Sequence, residues 1–313
     1  MRPPVKIVMF GAGGVGGYFG GRLAQAGCDV SFVARGAHLA AIQRDGLRLV
    51  SPKGDAHLTT LRASDDPAQL GLADVVFLTV KMYDVETAAA SLGRLLGPHT
   101  MVITLQNGVE ATELVARHVG GARTAGGVAY VAAVIDAPGV IRHTALDTLI
   151  VGELDGALSP RLSALRDAAS RAGFTFTASP HITVDQWSKF ARLSVFSGLT
   201  AATRSPLGVL RAEPALMALL ERAVQEALAV GRARGVELAA SVLDEVLGMV
   251  RSMPPGAKSS MLEDLERGKR LELPWLSGAV VRLGAEAGVP TPTHALIETL
   301  LRPFVNGSPP PMA

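Results

Sequence analysis

Three glycines at the spacing G-x-G-x-x-G, Gly11, Gly13 and Gly16, are the first residues able to do chemistry in this chain. They follow an apolar run, Val5 to Phe10, with the composition of a strand. They lead into YFGGRLAQAG, which reads as a helix closed by Gly27. In a strand–turn–helix setting the first glycine permits the tight turn and the second lets backbone approach a pyrophosphate. The third lets helix and strand pack closely. Free N–H groups and the helix dipole favour an anion at that terminus. The stretch Gly11, Ala12, Gly13, Gly14, Val15 and Gly16 is therefore expected to hold a dinucleotide. A ligand-free glycine-rich connection and a flavin site are the alternatives at this point.

Residues Val30 to Ala34 read as a second strand. NAD-binding domains place an acidic side chain at the end of this strand, against the ribose 2′-hydroxyl. Here Arg35 holds that place, and Asp29 lies at the opposite end of the strand. An arginine suits a 2′-phosphate, so NADPH is expected over NADH; the plainer reading is a solvated loop charge. Lys81, ending the apolar run VVFLTVK, is a candidate second cation for the same phosphate or another solvated charge.

These residues need a scaffold. Strand-like and helix-like runs alternate onward: ADVVFLTVK, VETAAASLGRLL, TMVITLQNG and VEATELVARHV. Strand-like RTAGGVAYVAAVI, GVIRHTA and TLIVGEL follow, then a helix, SPRLSALRDAASRAG, and a short strand, FTFTAS. The pattern predicts an α/β fold, a Rossmann-type doubly wound sheet that gains antiparallel strands at its far side. After Ser179 only helical spacing remains, as in ITVDQWSKFARLSVFSGLTAATR and EPALMALLERAVQEALAVGRARG. The expected domains are 1–178, binding the dinucleotide, and 179–313, all-helical and smaller. Ligands of open α/β sheets bind beyond the strands' carboxyl ends, so the second domain is expected to close a cleft there. The apolar helices from Glu213 onward would serve either a homodimer interface or the core of their own domain.

Bulk properties narrow the function class. A chain of 313 residues suggests two domains. Its net charge is +2 with cations scattered, so no nucleic-acid partner is expected. Apolar residues make up 48% but aromatics only 4%, leaving Ala, Val and Leu to pack the interior. The single cysteine, Cys28, excludes an internal disulfide and a cysteine-based zinc site, and no metal is expected. A cytoplasmic location fits that cysteine count and an N-terminal stretch without a secretion signal. No apolar run is long enough for a membrane span, and the tail GSPPPMA is expected to fray.

The sequence resembles the ketopantoate (2-dehydropantoate) 2-reductases over nearly its whole length. The resemblance runs through GAGGVGG, VARG, VKMYD, LQNGVEA, WSKF, SSMLEDLERGKRLELPWLSGAVV and VPTPTH. It implies reduction of the ketone of ketopantoate to pantoate with NADPH, in pantothenate biosynthesis. It further implies that Lys189 is the general acid, that Asn107 lies beside the nicotinamide ribose and that Glu272 lies near the reacting centre and cofactor. Ser260 would contact substrate, and Ala133 would offer backbone near the cofactor. The chemistry independently wants such a lysine. Hydride delivery to a ketone makes an alkoxide, and a lysine with a lowered pKa can polarise the carbonyl and then protonate the oxygen.

Each assignment has a plainer counterpart. Lys189, between Trp187 and Phe190, could snorkel from an amphipathic helix. Glu272 could pair on the surface within the run GKR, Ser260 could cap a helix, and Asn107–Gly108 could form a tight turn. The resemblance also breaks at one place. The family carries asparagines four and eight residues after the lysine, where this chain has Leu193 and Ser197. These two are the expected substrate-facing positions, with Arg192 and Arg204 as candidate carboxylate partners or solvated charges. A site that loses polar contacts discriminates differently. A paralogue reducing another ketone or 2-oxo acid is therefore the first alternative. A non-catalytic NADPH-binding sensor, needing neither Lys189 nor Glu272, is the second.

Overall fold

A computed structural model describes residues 5–307, so residues 308–313 of the proline-rich tail lie outside the described part. The chain divides into two compact units. Among the described residues the first contains 5–106 and 110–182; the second contains 107–109 and 183–307. The division falls after Ile182 rather than at Ser179, and Asn107, Gly108 and Val109 are counted with the helices.

The first unit opens with β1 (Lys6–Phe10), α1 (Gly14–Gln25), β2 (Asp29–Val33) and α2 (Gly36–Asp45). Three short strands follow: β3 (Leu47–Val50), β4 (Ala56–Leu58) and β5 (Arg62–Ser64). Then come β6 (Ala73–Leu78), α3 (Val85–Ser91), β7 (Leu96–Thr104) and α4 (Ala111–Val119). The unit ends with β8 (Thr124–Ala137), β9 (Val140–Glu153), α5 (Pro160–Ala169) and β10 (Thr175–Ala178).

The ten strands make one mixed sheet in the order β4-β3-β9-β8-β7-β6-β1-β2-β5, with β10 also pairing β9. β1 runs parallel to β2 and β6, and β6 parallel to β7. Their cores, IVMF, VVFL and MVIT, are buried at every residue. Strands covered on both faces need such continuous apolar runs. The expected antiparallel strands are β8 and β9, joined as a long hairpin. The two strand pieces expected at GVIRHTA and TLIVGEL are a single strand, β9, interrupted at Leu146, whose φ is +59°. β3, β4 and β5 had no counterpart among the expected strands; with three or four residues each, they are too short for a period-2 pattern to stand out.

The second unit is helical, as its spacing predicts. It contains α6 (Ile182–Thr203), α7 (Leu207–Ala212), α8 (Pro214–Ala233), α9 (Val242–Ser252), α10 (Ser260–Glu266), α11 (Ser277–Ala287) and α12 (Pro292–Leu301). Its core is built from Leu, Val and Ala on these helices, with Trp187 and Phe190 of α6 packed edge to face at 5.4 Å. Among the described residues its only β-pairing is an isolated bridge between Arg270 and Asn306.

Candidate active site

The glycine-rich turn follows β1 directly. Gly11 has φ +116°, a conformation costly for any residue with a Cβ. Its N–H donates to the Val33 carbonyl at 3.0 Å, while its own carbonyl accepts from Thr79 Oγ1 at 2.6 Å. The turn is thus pinned to the ends of β2 and β6. A methyl group on Gly16 would lie 2.0 Å from the Gly11 carbonyl oxygen, and one on Gly14 would lie 1.9 Å from the Ala133 carbonyl oxygen. Both glycines are required by close approach. Ala133, on β8, therefore borders the turn. A side chain on Gly13, by contrast, would meet nothing within 4 Å. Gly13 caps α1, whose first turn carries no acidic residue. Open space over an uncompensated helix N-terminus is what a pyrophosphate needs.

Around this turn the sequence-derived candidates fall as follows. Arg35 caps α2 just beyond β2 and is exposed. Asp29, at the start of β2, is engaged with Arg62 at 2.8 Å and is remote from that end of the strand. Lys81 is half-buried just after β6. Two residues absent from the sequence-derived set also reach the turn region. Gln106 donates its side-chain amide to the Leu78 and Val80 carbonyls at 2.8 and 3.1 Å, holding the segment after β6. His38 bonds the Ala12 carbonyl through Nε2 at 2.8 Å and the Gly139 N–H through Nδ1 at 3.0 Å. Burial holds its pKa below the ordinary histidine value, with the Ala12 carbonyl opposing the shift. A polar pair inside LQNG and a histidine in the first turns of α2 were the only signals available, and neither has a motif.

The second unit gathers three of the remaining candidates. Lys189 Nζ donates to Asn107 Oδ1 at 3.2 Å, and Asn107 Nδ2 donates to Glu272 Oε2 at 3.4 Å. The asparagine thereby bridges the cation and the carboxylate. It sits there because Gly108, at φ +107°, lets the chain press on the Trp275 carbonyl; a methyl group at Gly108 would lie 2.9 Å from that oxygen. Trp187 and Phe190 bury one face of α6 and so fix the rotation at which Lys189 is presented. Burial pushes the Lys189 amine down to about 8; the Arg192 charge adds to the fall and Glu272 opposes it. Glu272 is not at the surface, where its plainer alternative had it. It is 5% exposed, between Leu271 and Leu273, both also buried.

The other candidates take different positions. Leu193 lies one turn after Lys189 on α6, half-buried against the helical core. Ser197 is fully buried a turn further on, its Oγ without a hydrogen-bond partner. Arg192 contacts the Met249 thioether, and Arg204 stacks over Phe304 at 5.2 Å. Ser260 is exposed at the first residue of α10. The helix cap expected of Ser260 belongs to its neighbour. Ser259 Oγ accepts from the Leu262 N–H at 3.1 Å and also pairs with Thr200 Oγ1 at 2.7 Å. The buried serine outcompetes the exposed one because its hydroxyl has two fixed partners.

A Rossmann-type unit followed by a helical unit, with a lysine–asparagine–glutamate cluster in the latter, defines a class of oxidoreductases. Comparison identifies the class. Residues 7–156 match the ketopantoate reductase PanE/ApbA family, and residues 181–305 match its C-terminal domain. The 2-dehydropantoate 2-reductase of Mesorhizobium japonicum is 37% identical over 95% of this chain and 97% of its own length. The PanE/ApbA family ketopantoate reductase of Ralstonia eutropha superposes with a TM-score of 0.88 at 32% identity, covering 96% of this chain and 98% of that one. The chain therefore belongs to the ketopantoate reductase family and is an oxidoreductase. The same fold, at 21% identity and a TM-score of 0.86, occurs in a D-mandelate dehydrogenase solved with NADH and anilino(oxo)acetate, with 96% and 98% of the two chains covered. Among the described residues no helix is long and apolar enough to cross a membrane.

Proposed function

We propose that this protein reduces a 2-oxo acid with NADPH, and that 2-dehydropantoate is its first candidate substrate. The observation that carries the reading is the bridge Lys189–Asn107–Glu272 together with an amine held near 8. A reduced nicotinamide, when bound, supplies hydride to a carbonyl carbon. The turn from Gly11 to Gly16 would hold its pyrophosphate and Arg35 its 2′-phosphate, with Lys81 as a second cation and Ala133 bordering the turn.

Lys189 carries the proton. At neutral pH an amine with a pKa near 8 is mostly protonated, so it can first polarise a carbonyl oxygen and then neutralise the alkoxide. A lysine at its ordinary value near 10.4 would be a weaker acid by more than two pH units. Asn107 accepts a hydrogen bond from the amine and so limits its rotation. Glu272, anchored through Asn107, keeps the charge of the cluster balanced. Ser260 is assigned a substrate contact on the strength of the family resemblance.

A second reading stays within the same chemistry. Leu193 cannot hydrogen-bond a substrate hydroxyl, and Ser197 is sealed in the core. These residues favour a ketone or 2-oxo acid whose group next to the carbonyl is apolar. A sensor without catalysis has less support, because it would have no use for a buried glutamate clustered with a lysine of lowered pKa. Initial rates of NADPH oxidation across a panel of 2-oxo acids test both readings. Turnover of 2-dehydropantoate above the others supports the first, and preference for an apolar 2-oxo acid supports the second. No turnover of any member, with NADPH bound, would return the sensor.

A further inference from the structure

His38 touches the glycine-rich turn directly, and both of its ring nitrogens are used. A backbone N–H can only donate, so the Gly139 N–H obliges Nδ1 to accept. The ring proton then lies on Nε2, which donates to the Ala12 carbonyl. Only the neutral Nε2–H tautomer satisfies both bonds. The Ala12 carbonyl and the Gly13 N–H belong to one planar trans peptide unit and point in opposite directions. Holding that oxygen therefore sets where the Gly13 N–H points. The Ala12 oxygen also lies close to α1, 3.2 Å from where a Cβ on Gly17 would sit, but on the Gly13 side the plane is free to turn, since glycine has no Cβ and nothing packs within 4 Å of where one would be.

We propose that His38 is a positioning residue for the cofactor: it fixes the Ala12–Gly13 peptide plane so that the Gly13 N–H meets the pyrophosphate. It also ties the turn to the β8–β9 hairpin, whose Ala133 borders Gly14. The inference rests on the reading of this turn as the NADPH site. His38 acts through backbone and has no contact with the ligand assigned to it.

Titration of NADPH into the full-length protein, followed by calorimetry well below each variant's melting temperature, tests this. His38→Leu keeps most of the volume and removes both bonds. It is expected to weaken NADPH binding about tenfold, the scale of one or two net hydrogen bonds. His38→Gln offers an amide donor and a carbonyl acceptor and is expected to restore affinity to within about threefold of the wild type. A role in packing alone would lower the melting temperature of the Leu variant and leave its affinity unchanged, which overturns the proposal. Equal loss in the Gln and Leu variants overturns it as well. Should the Leu variant not fold, nitrogen NMR of the wild-type ring with NADPH bound decides. A proton on Nε2 supports the assignment, and a proton on Nδ1 overturns it. Failure of the wild type to bind NADPH at all would instead overturn the reading of the turn.

Discussion

The two units approach their tasks by opposite means. In the first, the proposed recognition is done by backbone. Gly11 is there because its φ of +116° is costly with a Cβ, Gly14 and Gly16 because a side chain would collide with backbone, and Gly13 leaves the space over the helix terminus open. In the second, the proposed chemistry belongs to side chains, and the three that cluster come from distant parts of the chain. Lys189 is 82 residues from Asn107, which is 165 from Glu272. Recognition by backbone is compressed into six consecutive residues, while side-chain chemistry is dispersed. The difference shows that a local motif can announce a glycine turn, whereas a cluster of side chains exists only once the fold has brought its members together.

The comparison can be broken most sharply at Lys189. Lys189→Ala is expected to lower kcat by about 10³-fold or more, the scale of a lost general acid plus a lost positive charge at the oxygen. NADPH affinity, measured by fluorescence titration, should stay within about twofold. A variant with unchanged kcat would show that the helical unit does not carry the chemistry. The converse experiment is Gly16→Val. Its new Cβ would lie 2.0 Å from the Gly11 carbonyl oxygen and 2.5 Å from Thr79 Oγ1. A destabilisation of about 3 kcal/mol or more is expected, read as a fall in Tm of roughly 10 °C, with NADPH binding lost. A valine variant that binds normally would refute the steric account of the turn.

The pH profile sharpens the contrast. Lys189 must be protonated to act as an acid, and burial has lowered its pKa to about 8. The acid form is therefore present below about 8 and lost above it. The expected kcat/KM is flat on the acid side and falls about tenfold per unit on the alkaline side. A fall beginning only near the ordinary lysine value would mean that the amine is not desolvated in the working enzyme. The smallest effect belongs to Arg35→Ala. Losing one charged contact to a 2′-phosphate should weaken NADPH binding by about 10- to 100-fold and leave NADH unaffected. Equal loss for both cofactors would assign Arg35 to some other task.

Legibility in the sequence follows the same division. The central strands were readable because burial on both faces demands unbroken apolar runs, and the helices of the second unit because their apolar spacing is sustained over many turns. β3, β4 and β5 were not, since strands this short are held by their neighbours in the sheet rather than by their own pattern. Ser260 was a reasonable cap from its spacing to the acidic residues, yet Ser259 holds the position because Thr200 reaches it across 59 residues. Glu272 comes just after Lys269 and Arg270, so its residues alone also allowed a surface carboxylate; only the family resemblance put it near the reacting centre. Its burial depends on Leu271 and Leu273, which the helical core captures on either side.

By itself the sequence determined the glycine turn, the central strands and the longer helices, and the place where strands give way to helices. These depend on backbone sterics and on apolar periodicity, which act between residues a few positions apart. The tertiary structure alone decided that Asn107 joins the helical unit, that Glu272 is buried near it, that burial lowers the pKa of Lys189 and that His38 holds the Ala12 carbonyl. Each of those outcomes is a matter of desolvation or of a hydrogen bond across a long loop, and neither quantity has a value until the chain has closed.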